Sequence, residues 1–268
     1  MPSADPISTR APAAAAATGT APAAATRPAP AATAPHDTPT PLGRVLVTGG
    51  ASGLGAAIAA AVAARGGTPI VLDRDAPADE RLDSEQVDLA DTRAAEAAVT
   101  RAAERHGGLD AVVTAAGTDA CGPLDGIDGA AWDRVVMVNL LGTAAVVRAA
   151  LPALERADNG RVVTVASTLG VRVLGDATAY CASKFGVVGF TRALALETAG
   201  RVGVTLLIPG GMRTRFFDGR DPRYQPPPDA PLLDPGEVAD AVAFALARPR
   251  GVELRELVVC ASEETSWP

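Results

Sequence analysis

Beyond Gly43 the chain alternates short β-branched or aliphatic runs with longer Ala-rich stretches, and this alternation constrains the fold more than any other feature. Arg44–Thr48 (RVLVT), Pro69–Asp73 (PIVLD), Gln86–Leu89, Asp110–Thr114 (DAVVT), Arg161–Ala166 (RVVTVA), Gly203–Ile208 and Arg255–Val259 read as strands. Helical patterns fall at Leu54–Arg65, Thr92–His106, Ala131–Arg156, Thr178–Ala199 and Pro235–Ala247, with Pro152 expected to bend or end the third. Strands that are apolar on both faces and spaced by helices require a parallel sheet covered on both sides. The predicted fold is α/β, a single doubly wound parallel sheet with helices on both faces.

The first 42 residues stand outside this pattern. Ala, Pro and Thr supply 31 of them, and Ile7 is the one large aliphatic side chain before Leu42. Such a segment cannot bury enough apolar surface to offset the entropy of ordering it, so residues 1–42 are expected to be a disordered extension. An acid-poor Ala/Thr/Arg leader also fits an organelle transit peptide, but an extension on a cytoplasmic protein is the plainer reading. Residues 43–268 then make one domain.

Charge and composition narrow the chemistry. Arg10 and Arg27 cancel Asp5 and Asp37, so the net charge of −7 belongs to the folded part, a poor partner for nucleic acid. Cys121, Cys181 and Cys260 lie far apart without CxxC spacing, which argues against a disulfide framework and a Cys-rich metal site. With His36 in the leader, His106 is the one histidine of the domain, so a multi-histidine metal centre is excluded. No run of about 18 apolar residues is present to span a bilayer.

The first strand runs directly into Thr48-Gly49-Gly50-Ala51-Ser52-Gly53-Leu54-Gly55, where a helix opens. Glycines there permit a tight turn, close backbone approach to a diphosphate and close helix–strand packing, while the helix start offers free N–H groups to the anion. The spacing Gly-x-x-x-Gly-x-Gly is neither GxGxxG nor a P-loop. Eighteen residues after Gly55, Asp73 ends the second strand, placed to accept hydrogen bonds from adenosine ribose hydroxyls and to repel a 2′-phosphate. NAD is thereby favoured over NADP.

Lys184 is the single lysine of the chain, against 23 arginines, and Tyr180 lies four residues before it on the same helical face. Ser167 precedes Tyr180 by 13 residues, and Asn139 sits in an otherwise apolar helical stretch, VVMVNLLGT. A free Tyr, with a pKa of about 10, needs a nearby ammonium to act as a base near neutral pH. A serine hydroxyl can polarise a carbonyl or alkoxide oxygen.

Together Thr48–Gly55, Asp73, Asn139, Ser167 and Tyr180-x-x-x-Lys184 resemble the short-chain dehydrogenase/reductase family over residues 43–260, which implies a Rossmann-type domain. The resemblance implies Tyr180 as acid/base, Lys184 as its electrostatic partner and holder of the nicotinamide ribose, and Asn139 as anchor of a proton-relaying water. It also implies a cofactor site of Thr48, Gly49, Ser52, Gly53, Leu54, Gly55, Asp73, Asp88, Leu89, Ala115, Ala116, Gly117, Tyr180, Lys184, Pro209, Gly210, Met212 and Thr214. Asp88-Leu89 would flank adenine, Thr214 would contact the nicotinamide carboxamide, and Arg215–Leu233 would form a lid over the substrate.

Three departures from the family pattern stand out. Ala115-Ala116-Gly117 replaces Asn-Ala-Gly and loses a side-chain hydrogen bond that steadies the sheet. Only 14 residues separate Asp73 from Asp88, too few for the usual intervening helix. The C-terminal Asp-Gly-Gly used in subunit packing is absent, so a homo-oligomer is expected without a commitment to the tetramer. The resulting expectation is an NAD-dependent oxidoreductase acting on a secondary alcohol or ketone. An NADPH-dependent carbonyl reductase and a non-catalytic dinucleotide sensor are the alternatives.

Overall fold

The computed structural model describes residues 42–267, so the expectation for the leader lies, Leu42 excepted, outside the described residues. Leu42 itself is buried with the domain core. Seven strands form one parallel sheet: β1 (Arg44–Thr48), β2 (Thr68–Asp73), β3 (Asp83–Gln86), β4 (Ala111–Thr114), β5 (Arg161–Val165), β6 (Gly203–Pro209) and β7 (Glu256–Val259). Their order is β3-β2-β1-β4-β5-β6-β7. The winding reverses between β1 and β4, where Thr48 lies opposite Thr114, and it is beyond the carboxyl ends of two such strands that a doubly wound sheet forms its ligand crevice.

β4 and β5 are buried along their whole length, as their apolar sequences demand. On one face α1 (Gly53–Ala64) packs on α6 (Pro235–Leu246), with Leu54, Ile58 and Val62 meeting Val238, Val242 and Leu246 in one core. On the other lie α2 (Thr92–Arg105), α4 (Thr143–Arg156) and α5 (Thr178–Glu197), joined through Ala98, Val99, Val146, Ala150, Leu154 and Leu194. Burying a side chain such as Ile58 is worth about 1.5–3 kcal/mol.

Two expectations are corrected. β3 lies at Asp83–Gln86 rather than Gln86–Leu89, because Leu89 turns inward and is 5% exposed. The strand it displaces from the apolar pattern is polar: Asp83 and Glu85 hold Arg105 and Arg101 of α2 at 2.9 Å, an edge built on ion pairs. As the short spacing implied, no helix joins β2 to β3.

The long third helix is α3 (Gly129–Val136), a π-helical turn at Met137–Gly142, and α4. Pro152 neither ends nor divides it, since Pro152 is exposed and so is Arg148, four residues earlier, whose carbonyl loses its helical donor. The irregular turn instead carries Asn139. The stretch Gly129–Arg156 is long and apolar enough on average to cross a membrane, although Asp133, Arg134, Asn139 and Arg148 interrupt any continuous apolar run. It is a core helix here, with Val135, Val138, Val146, Val147 and Leu154 buried in the domain.

Candidate active site

The carboxyl ends of β1, β4, β5 and β6 meet at the site. After β1, Gly49 adopts φ +71, and a Cβ there would sit 2.7 Å from the Ala116 Cα. The loops after β1 and β4 therefore touch, and the Thr48 hydroxyl ties them by accepting from the Ala116 N–H at 3.1 Å. A Cβ on Gly55 would come within 2.1 Å of the Gly49 carbonyl oxygen, so α1 packs directly on its own entry loop. Gly53 (φ +53) faces Thr214 across the crevice.

Ser52 caps α1 by backbone geometry alone, its hydroxyl making no capping bond, whereas Asp91 and Asp234 spend their carboxylates on the first amides of α2 and α6. The opening amides of α1 are left unspent by any side chain, and no acidic residue stands in its first turn. That donor set, with a cradle a Cβ would fill, fits a diphosphate.

Asp73 ends β2 and braces the glycine loop, its carboxylate accepting from Ala51 N–H at 2.9 Å and Asp75 N–H at 3.1 Å. Arg74 points outward to Asp75 at 3.4 Å, with both side chains largely exposed. Asp88 accepts from Ala90 N–H at 3.0 Å and Arg134 at 2.8 Å. Burial alone would raise its pKa, yet those two donors hold it below the usual carboxylate range. Leu89 belongs to the core and lies close to Gly142. Where Ala115 replaces asparagine, the neighbouring Thr114 hydroxyl is buried without a partner.

The second half of the site is made of side chains. Ser167 follows β5, and its hydroxyl accepts from Leu169 N–H at 3.1 Å. Tyr180 lies in the first turn of α5 with Lys184 one turn on. Desolvation pushes Tyr180 up to about 12, opposed by a hydrogen bond with the Ser167 hydroxyl, while Asp119 raises it and Arg220 lowers it. Lys184 is 4% exposed, and burial brings its ammonium down to about 8 against the pull of Asp119. Its Nζ donates to the Val165 carbonyl at 2.8 Å and stands 5.6 Å from the Tyr180 ring centroid. The ammonium thus lies over the ring face, held by main chain.

Asn139 accepts from Thr118 N–H at 2.8 Å and donates to the Thr118 carbonyl at 2.9 Å and the Ser183 hydroxyl at 3.1 Å. Both amide hydrogens are committed, fixing the loop after β4 to α5. Gly117 lies between them, since a Cβ there would be 3.5 Å from Asn139 Oδ1 and 3.8 Å from Lys184 Nζ.

After β6, Gly210 N–H donates to the Val259 carbonyl and Gly211 N–H to Glu264 at 3.1 Å, while Met212 bridges to Leu233. The Thr214 hydroxyl caps a short 3₁₀ turn, accepting from Phe216 N–H at 3.3 Å. That turn sets Phe216 against Tyr180, ring centroids 5.7 Å apart. A hollow of about 380 Å³ lined by Arg44, Glu104, Gly108, Pro152 and Arg156 lies instead at the amino ends of the strands.

Sequence reasoning missed three residues here: Asp119, Asp176 and Arg220. Arg220, from the lid, pairs with Asp119 at 2.9 Å. Asp176, the one non-glycine residue at positive φ (58) among the described residues, accepts from the Tyr224 hydroxyl at 2.8 Å. The aspartates of the loop after β4 and the arginines of the lid were the available signal, but only the fold brings them together.

A glycine-lined helix start and a Ser–Tyr–Lys cluster thus lie at one end of one sheet. Residues 44–225 match the short chain dehydrogenase family model. A D-threitol dehydrogenase of Mycolicibacterium smegmatis is 34% identical over 217 residues, 74% of this chain and 84% of that one. A D-beta-hydroxybutyrate dehydrogenase of Cupriavidus necator is 36% identical over 182 residues, 63% of this chain and 70% of that one. The crystal structure of an alcohol dehydrogenase from Thermococcus sibiricus, complexed with 5-hydroxy-NADP, shares the fold at a TM-score of 0.74. It is 24% identical and covers 83% of this chain and 97% of its own. The chain belongs to the short-chain dehydrogenase family, whose members are NAD(P)-binding oxidoreductases.

Proposed function

We propose that this protein is an NAD-dependent oxidoreductase interconverting a secondary alcohol and its ketone, with Tyr180 as general acid/base. The observation that carries the reading is the convergence of Ser167, Tyr180 and Lys184 on the crevice that the uncapped start of α1 opens into. Thr48, Gly49, Ser52, Gly53, Leu54 and Gly55 would hold the diphosphate, and Asp73 the adenosine ribose. Asp88 and Leu89 would line the adenine side, Pro209, Gly210, Met212 and Thr214 the nicotinamide side, and Ala115, Ala116 and Gly117 the wall between them, with Gly117 next to Lys184. The bound cofactor supplies hydride transfer.

Ser167 orients the substrate oxygen and Tyr180 exchanges its proton. Lys184 holds its ammonium over the Tyr180 ring, where positive charge favours the phenolate. Asn139 fixes Thr118 and so the wall of the site; with both amide hydrogens committed, it would anchor the water that carries the proton outward through an acceptor oxygen. Asp73 selects NAD, because a 2′-phosphate would meet its carboxylate as a like charge while Arg74 is turned to solvent.

Exposed Phe185, Phe244 and Val258 leave apolar side chains on α5, α6 and β7, which supports assembly into a dimer or tetramer. A panel of secondary alcohols and ketones, read by absorbance of reduced nicotinamide with each cofactor, tests the reading. Turnover with NAD is expected; turnover with NADP alone would make the protein a carbonyl reductase of the NADPH type, and cofactor binding without any turnover would make it a sensor.

A further inference from the structure

We propose that the site accepts uncharged alcohols and ketones and discriminates against carboxylates, with Asp119 as the specificity-determining residue. The inference rests on the reading of Tyr180 as acid/base and adds a substrate class to it.

Arg220 is the lid arginine that reaches the site. Its guanidinium lies over the rings of Phe216, at 4.8 Å, and Phe217, at 4.6 Å, and Phe216 in turn packs on Tyr180. An unpaired guanidinium in that position would be a ready receptor for a substrate carboxylate. It is not unpaired: Asp119 meets it at 2.9 Å, and the two side chains are 15% and 7% exposed for Arg220 and Asp119. Asp119 is fully engaged, its oxygens also accepting from Ala120 N–H at 2.7 Å and the Cys121 thiol at 3.2 Å. A carboxylated substrate reaching for Arg220 would have to displace Asp119 and leave that carboxylate stranded, out of water and without its counter-charge.

The one arginine of the surrounding walls without a partner among the described residues, Arg215, stands in solvent, where a pairing with a substrate carboxylate is worth little. Residues 118–128 contain Asp119, Asp125 and Asp128 and no basic residue. Gly122 N–H joins this loop to the Asp176 carbonyl of the facing segment at 2.8 Å, and the two carry the exposed apolar side chains Leu124, Val173 and Leu174. On that facing segment Arg172 donates to the Thr265 carbonyl, just before the lid Arg213 donates to the Leu232 carbonyl, and in the lid Arg223 pairs with Asp221. On the side of the loop after β4, fixed negative charge and apolar side chains line the entry, which suits a neutral substrate over an anionic one.

The test uses matched pairs, each a secondary hydroxy acid against its methyl ester, across several chain lengths and ring sizes. The wild-type protein is expected to favour the ester by at least about tenfold in kcat/KM. Asp119→Asn should shrink that ratio by about tenfold by freeing Arg220, and Asp119→Asn/Arg220→Gln should restore it. A ratio within a pair cancels any change in Tyr180 or Lys184 chemistry, so a general structural defect leaves it unmoved. Binding of the same pairs to cofactor-loaded Tyr180→Phe protein, followed by tryptophan fluorescence, ranks them without turnover. Wild-type preference for the acids, in turnover or binding, overturns the proposal; esters that bind better than acids yet are never turned over would instead sink the oxidoreductase reading alone.

Discussion

On the β1 side of the crevice the site is made by leaving atoms out, whereas on the β5 side it is made by burying them. The glycine loop works because Gly49, Gly53 and Gly55 have no Cβ, and its contacts are backbone on backbone. Across the crevice Lys184, Asn139 and Ser183 are all nearly or fully buried, the Asn139 amide bonded to the Ser183 hydroxyl and the Lys184 ammonium to the Val165 carbonyl. Damage should therefore be steric and felt in cofactor affinity on one side, and chemical and felt in turnover or titration on the other.

Substituting each half should expose that contrast. Tyr180→Phe keeps the ring against Phe216 and removes the proton, so kcat should fall by about 10²–10⁴-fold with the melting temperature nearly unchanged. In the wild type, alcohol oxidation should climb with pH into the alkaline range, because burial holds the Tyr180 proton toward about 12. A kcat close to wild type in the Phe variant would remove the chemical half of the comparison.

Gly55→Ala should act in the opposite way. A methyl 2.1 Å from the Gly49 carbonyl must push the loop off α1, at a cost of about 1–3 kcal/mol. The weakening should appear as a raised cofactor Kd by titration calorimetry, with kcat at saturating cofactor largely kept. A loss confined to kcat would show that the loop and the catalytic cluster are not separable. Asp73→Ala is the finer probe of the same side: wild type should prefer NAD by about tenfold in kcat/KM, about 1.4 kcal/mol, and the variant should lose or invert that preference. A wild-type preference for NADP would mean that Arg74 governs the choice.

The smallest effect concerns stability. Because Lys184 is held at about 8 rather than the ordinary 10.5, the folded state binds its proton less readily than the unfolded chain. The penalty for keeping it charged is full below about pH 8, shrinks as pH rises and is gone above 10.5. Lys184→Met should therefore stabilise the fold at pH 7 by about 1 kcal/mol, after loss of the Val165 hydrogen bond is subtracted, while abolishing turnover. Melting curves at pH 7 and pH 10.5 check this: a gain that persists unchanged at the higher pH would rule out the buried charge as its source.

The same contrast explains what the sequence made legible. The glycine loop, Asp73 and the Tyr180/Lys184 pair are local patterns whose spacing states their geometry, and β1, β4 and β5 are apolar runs with no second interpretation. β3 was misplaced because its four residues, Asp83–Gln86, have no apolar pattern at all; the arginines of α2 hold it, and those contacts exist only once the chain is folded. Asn139 could be singled out, but the π-helical turn that aims it could not, because Pro152 was the visible irregularity and proved harmless on the exposed face. The Asp119–Arg220 pair joins positions 101 residues apart across a lid, beyond the reach of any local spacing argument.

The burial of the chain's single lysine has a practical consequence for chemical footprinting. Amine-directed reagents find only two targets in this protein, the α-amino group and Lys184 Nζ. With Nζ enclosed and bonded to Val165, acylation there requires the neighbourhood to open, so its rate reports a local breathing motion rather than surface exposure. Intact-mass spectrometry can follow that one event without digestion, because a second adduct has nowhere else to go. A ligand that closes the crevice should slow the appearance of the doubly labelled species, which makes the molecule its own occupancy gauge.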